Sequence, residues 1–160
     1  MQISRAGEYG VLGLMNLARR APGELAMIEE VSRMEKIPES FLAKIFQHLA
    51  KAGLVRSNRG AHGGFALARN PAKISVLEII EAIEGKIIFQ RCKLDRPVCE
   101  HVGGCAICGL FEQAQDGVKD VLARTSLRRL VNHRPKAAPP APPAVPPARR
   151  RPLSGRARRP

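Results

Sequence analysis

The stretch from Leu54 to Leu67 limits the fold more than any other part of the chain. Two short strand-like runs, Leu54-Val55-Arg56-Ser57 and Phe65-Ala66-Leu67, flank Asn58-Arg59-Gly60-Ala61-His62-Gly63-Gly64. The intervening residues are rich in glycine and asparagine, which tolerate left-handed backbone angles, so the segment reads as a hairpin with a glycine-rich tip. Everything before it has helical period. Tyr9 to Ala18 carries apolar residues at helical spacing and reads as a buried helix that Ala21-Pro22-Gly23 ends. Leu25 to Met34 pairs Ile28 with Val31 on one side and charges on the other. A third helix opens with Pro38 in its first turn, where a missing N–H costs nothing, and runs to about Ala52 before Gly53 stops it. Its inner stripe is Leu42, Ile45, Phe46 and Leu49, while Ser40, Lys44, Gln47, His48 and Lys51 face outward.

Two helices joined by a tight turn and followed by a hairpin describe a winged helix-turn-helix, whose second helix enters the major groove of DNA. The expected fold is therefore mainly α with a small β-hairpin wing. Ser40, Lys44, Gln47 and His48 mix base-reading with phosphate-binding types. Arg59, next to Gly60, suits a narrow minor groove, and Arg56 and Arg69 at the hairpin ends suit phosphate contacts. Charge agrees. The formal net charge is +13, and the stretch from Arg134 to Pro160 holds eight basic residues and no acidic ones. Subtraction leaves +5 for residues 1–133. A basic body with a more basic tail favours a polyanion, and double-stranded DNA fits better than a membrane surface. With Phe 5, Tyr 1 and Trp 0, the chain lacks the aromatic platforms of single-strand binders. No nucleophile–base pairing, phosphate loop or paired carboxylates point to an enzyme.

Ser75 to Glu84 reads as a further amphipathic helix (Val76, Ile79, Ile80, Ile83) ended by Gly85. Periodicity is weak from Arg91 to Gly109. It returns from Leu110 to about Val131, a helix weakened at Gly117, with Ala114, Val118, Val121, Leu122, Leu127 and Leu130 on its stripe. Beyond Arg134 the chain is Pro, Ala and Arg, too poor in apolar bulk for a core and expected to be disordered. No apolar run approaches the roughly 18 residues that would span a bilayer, and no secretory signal core is present. The expected location is the cytoplasm, where thiols stay reduced.

Four cysteines then read as metal ligands, not as disulfides. Their spacing is Cys92-x6-Cys99-x5-Cys105-x2-Cys108, with His101 inside and Gly103-Gly104 nearby. Iron–sulfur clusters and zinc both accept four thiolates, and spacing alone admits either.

The run Phe41-Leu42-Ala43-Lys44-Ile45-Phe46-Gln47-His48-Leu49-Ala50-Lys51-Ala52-Gly53-Leu54-Val55, with Ser57, Arg59-Gly60 and Gly63-Gly64-Phe65-Ala66-Leu67, closely resembles the winged-helix regulators that include IscR, NsrR and CymR. The resemblance extends from Ile3-Ser4 to about Leu130. It departs at Lys36, where that family usually has glycine in the turn before the recognition helix, and at Phe111, where relatives often have tryptophan. The resemblance implies an iron–sulfur cluster, 2Fe–2S or 4Fe–4S, on Cys92, Cys99 and Cys105, with one extra residue in the first interval. For the fourth ligand it ranks Cys108 first, Glu8 (from the first helix of a second subunit) second and His101 third. It also implies a homodimer formed through the long C-terminal helix and placed on a palindromic operator.

The expected organisation is a DNA-binding domain over residues 1–85, a cluster loop over 86–109, a dimerisation helix over 110–133 and a basic tail over 134–160. The implied function is a transcription regulator, most simply a nucleoid-associated repressor, that senses redox state, oxygen, nitric oxide or cluster supply. The alternatives are a metal-free thiol switch or zinc-stapled regulator on the same scaffold, and an interaction subunit that regulates a metabolic enzyme.

Overall fold

A computed structural model describes residues 3–58, 60, 63–89 and 106–133. Arg59, Cys92, Cys99, His101, Cys105 and the tail from Arg134 onward lie outside the described residues.

Helix α1 (Arg5–Ala18) starts where Ser4 adopts an extended conformation and its hydroxyl accepts a hydrogen bond from the Gly7 N–H. The Ser4 backbone N–H and hydroxyl both donate to the Glu84 carboxylate at 2.9 Å. That bond pins the start of α1 to the end of α4 (Val76–Glu84). Gly7, Gly10 and Gly13 recur every third residue on the buried face of α1. A β-carbon at Gly7 or Gly10 would collide with Glu84 or Ile83, and one at Gly13 would lie 2.7 Å from Phe46 Cε1. The stripe lets α4 and α3 (Glu39–Lys51) approach α1 more closely than any larger residue permits.

Helix α2 (Ile28–Glu35) and α3 follow, then strands β1 (Val55–Asn58) and β2 (Gly64–Leu67) as one antiparallel hairpin. The register pairs Val55 with Leu67 and Asn58 with Gly64. Ala26 adds an isolated bridge to Phe65, with hydrogen bonds of 2.9 Å in both directions. The main core gathers Leu14, Leu17, Val31, Leu42, Ile45, Phe46, Leu49, Leu54, Ile74, Ile79 and Leu127. It is drawn from α1, α2, α3, the wing root, α4 and α6 (Leu127–Asn132).

Helix α4 begins with a capping box. The Ser75 hydroxyl accepts from the Glu78 N–H, and the Ser75 N–H donates to the Glu78 carboxylate at 2.9 Å. That backbone bond, helped by the Arg69 guanidinium 2.8 Å away and the Ser75 hydroxyl, holds the Glu78 carboxyl below its ordinary value of 4.5 against an opposing effect of burial. A depressed folded-state pKa means the stabilisation is present above about pH 4.5 and is lost as pH falls through the depressed value. In urea titrations between about pH 6 and pH 3, Glu78→Gln should show a flatter acid decline than the parent. Parallel declines would remove Glu78 from this role.

The single helix expected from Leu110 to Val131 is two. Helix α5 (Ala106–Arg124) starts earlier and takes in Cys108, and α6 starts anew after Thr125-Ser126. Ser126 caps α6 by accepting from the Arg129 N–H. The break is fastened to the body by hydrogen bonds from Val76 N–H to the Thr125 carbonyl, 2.9 Å, and from Leu127 N–H to the Ile74 carbonyl, 2.8 Å. Leu127 is fully buried in the main core. The last turns of the expected C-terminal helix therefore belong to the winged-helix body.

Candidate nucleic-acid interface and cysteine segment

The turn between α2 and α3 sets the pitch of the exposed helix. Helix α2 ends at Lys36, whose φ of 56° and ψ of 40° place it in the left-handed region. It is the one non-glycine residue with positive φ among the described residues. The Lys36 and Ile37 N–H groups both bond to the Ser32 carbonyl, the Ser32 hydroxyl donates to the Ile37 carbonyl at 2.6 Å, and the Ile37 side chain is buried. These bonds form a Schellman-type stop that favours glycine at the Lys36 position. Lys36→Gly should raise the unfolding free energy by about 1 kcal/mol, because a left-handed L-residue is strained by roughly that much. A urea titration showing no gain would mean that the turn tolerates lysine without strain.

Pro38 stands as the capping residue just ahead of α3, and its carbonyl accepts from the Phe41 and Leu42 N–H groups at 3.0 Å. The inner stripe of α3 is buried as its period requires: Leu42, Ile45, Phe46 and Leu49. Ser40, Lys44, Gln47 and His48 are all exposed. Among the described residues, no side-chain hydrogen bond or ion pair engages these four. The face thus offers one cation and several uncommitted donors and acceptors along one helix side, a composition suited to phosphates and base edges. Phe41, also exposed, meets Tyr9 of α1 edge-on at 5.9 Å and fixes the start of α3.

The wing is coupled to this helix through aromatic packing. Phe65 of β2 lies edge-on against Phe46 of α3, with centroids 5.0 Å apart at 78°. At the tip, Gly60 has φ 130° and its carbonyl accepts from the Gly63 N–H at 2.8 Å. Arg56, read from sequence as a wing-root cation, is exposed but bent back, with Nη2 donating to the Gly23 carbonyl at 3.3 Å. Arg69 is held by Glu78 at 2.8 Å.

Two positions bearing on metal binding are described. Cys108 is partly buried in the first turn of α5, and Glu8 is exposed in the first turn of α1. The remaining candidate ligands lie outside the described residues.

Asn16 escaped the sequence reading, where it stood inside an apolar run. It is 3 % exposed and holds α1 to α2. Its Nδ2 donates to Glu35 at 2.8 Å, and its Oδ1 accepts from Arg20, which in turn pairs with Glu30 at 2.9 Å and Glu24 at 3.3 Å. A lone amide inside a helical apolar stripe was the available signal, because such a group is buried only with partners.

Comparison with known proteins agrees with this architecture. Residues 3–133 match the family model Rrf2, described as an iron-dependent transcriptional regulator. IscR of Photorhabdus laumondii is 29% identical over 83% of this chain and 80% of its own length. An HTH-type regulator sequence of Aquifex aeolicus is 31% identical, covering 82% of this chain and 92% of its own. Among solved structures, CymR, named the global cysteine regulator of B. subtilis, superposes with a TM-score of 0.71 at 30% identity, covering 82% of this chain and 96% of its own. T. potens IscR gives 0.66 at 27% identity, covering 82% and 86%.

Proposed function

The chain belongs to the Rrf2 family of transcriptional regulators, and from that premise we propose that it is a homodimeric, sequence-specific repressor controlled by an iron–sulfur cluster. The observation that carries the DNA-reading part is the exposed row of Ser40, Lys44, Gln47 and His48, unengaged among the described residues, beside a wing packed on the same helix through Phe46 and Phe65. In this reading α3 lies in the major groove, Arg59 enters the adjacent minor groove, and Arg56 adds only backbone-neutralising charge. The tail arginines add sequence-independent, salt-sensitive affinity. The protein works in the cytoplasm, associated with the nucleoid.

Four thiolates form a soft donor set that suits an iron–sulfur cluster. Cys92, Cys99, Cys105 and Cys108 would hold it, and Glu8 is the competing candidate for the fourth position. When bound, such a cluster supplies one-electron redox chemistry and reactivity toward oxygen or nitric oxide. Support for the dimer comes from α5, which leaves Ile107, Leu110, Phe111 and Val121 exposed at 63%, 65%, 45% and 66%. A two-fold pairing would cover that row.

A second reading is favoured by the CymR structures, one described as the oxidized form of the Staphylococcus aureus protein. In it, thiol oxidation without metal controls DNA affinity. Both readings share the interface, which a duplex selected from a random pool tests. Arg59→Ala should weaken binding to that duplex by ~1–3 kcal/mol in a gel-shift titration. Unchanged affinity in both Arg59→Ala and Lys44→Ala would instead favour a subunit that regulates an enzyme.

A further inference from the structure

A cleft of about 380 Å³ opens between the C-terminal end of α1, the root of the wing and α6, lined by residues outside the exposed face of α3 and the wing tip. Its volume falls within the range of small-molecule sites. Leu17, Leu67 and Pro71 provide an apolar floor, and four arginines, Arg20, Arg56, Arg69 and Arg128, stand against a single carboxylate, Glu24. Two of the arginines are already committed. Arg20 is paired with Glu24 and Glu30, and Arg69 with Glu78. The other two have no carboxylate within pairing distance among the described residues. Arg56 is held in place by its bond to the Gly23 carbonyl, and φ of 84° at Gly23 brings that carbonyl round. Arg128 rides on α6, a short helix anchored to the core by Leu127 and by the Leu127–Ile74 hydrogen bond. Two guanidinium groups carried on anchored elements, beside the apolar Leu17, Leu67 and Pro71, match an anion that carries a short carbon skeleton.

We propose that this cleft binds a small organic anion, a phosphate ester or carboxylate of a few carbon atoms, between Arg56 and Arg128. Arg56 belongs to β1 and Arg128 to the segment that continues from α5. A ligand bridging them ties the wing to the C-terminal arm. That regulatory consequence rests on the DNA-binding reading above, but binding itself does not.

The test uses the full chain in chloride buffer at fixed ionic strength, with glycerol 3-phosphate and malonate as probes. Thermal unfolding should shift upward saturably, by about 3–5 °C at ten-fold excess over the dissociation constant. Arg128→Gln should lose the shift while keeping the parent's unfolding midpoint in chloride and its affinity for the selected duplex. Arg128→Lys, which keeps the charge but not the fork, should retain a weaker shift, and it decides the matter if the glutamine variant is unstable. A response that does not saturate, or one that persists undiminished in either variant, overturns the proposal. So does loss of duplex affinity in Arg128→Gln without any anion, since that outcome makes the cleft a DNA-backbone contact. A saturable, Arg128-dependent shift in a protein with no duplex preference would leave the anion site standing and remove the DNA-reading function.

Discussion

Replacing Phe46 with alanine should lower the unfolding free energy by about 3–5 kcal/mol, the usual range for a buried aromatic truncated in a core. Phe46 is fully buried and joins its own helix to two other elements. It belongs to the inner stripe of α3, lies edge-on to Phe65 of the wing, and borders Gly13 closely enough to exclude a β-carbon there. The cavity left by alanine would therefore loosen α3 and the wing together. Phe46→Leu retains part of the volume and should cost clearly less. Urea titration followed by far-UV circular dichroism measures both. The functional corollary is that Phe46→Ala, at temperatures where it remains folded, binds the selected duplex more weakly although no contact residue has changed. A variant with normal stability or with normal DNA affinity would separate wing from helix and refute the coupling.

Cys108→Ser should have the largest effect on the proposed metal centre that a change at a described residue can produce. Serine keeps the size of the side chain but does not ionise near neutral pH, so the centre would lose a thiolate ligand. The expected result is protein that takes up little or no iron and sulfide under anaerobic reconstitution. Glu8→Gln should leave uptake and spectrum unchanged, because Cys108 and not Glu8 is assigned the fourth position. The opposite pattern, with Cys108→Ser fully loaded and Glu8→Gln depleted, would move the fourth ligand to the first helix of a second subunit. Since Cys108 lies in the first turn of α5, each variant needs a control for folding; far-UV dichroism of the metal-free forms supplies it.

The DNA-reading half of the molecule was legible because its signals are local. The 3.6-residue period of α3 separated Leu42, Ile45, Phe46 and Leu49 from Ser40, Lys44, Gln47 and His48, and burial follows that division. The glycines around Arg59 marked the wing because few other residues accept its turn. Lys36 stood out as a departure from family pattern, and its left-handed backbone gives the departure a physical meaning.

The misses have physical reasons too. Leu127 and Leu130 seemed to continue the stripe of Val118, Val121 and Leu122, but the step from Leu122 to Leu127 is five residues and breaks the helical phase. Ser126, the N-cap of α6, was the start signal that went unused. The Gly7, Gly10 and Gly13 stripe is invisible to apolar periodicity, since its role is to let Ile83 and Phe46 come near. Arg56 illustrates a further limit. Its charge could be read from sequence, but its bend toward Gly23 depends on a turn 33 residues away. The cysteine spacing permits zinc as well as a cluster because thiolates serve both, and only the family resemblance favours the cluster.

The proposed function requires that a winged-helix DNA reader carry an iron–sulfur cluster on its cysteine segment. The most direct test is anaerobic purification of the full chain, with the visible spectrum recorded alongside iron, acid-labile sulfide and zinc content. Brown protein with iron and sulfide in matching amounts is the expected result, their ratio to protein distinguishing 2Fe–2S from 4Fe–4S. Colourless protein that holds zinc, or that holds no metal even after reconstitution, would contradict it and leave a DNA-binding regulator with a structural or thiol-switch segment.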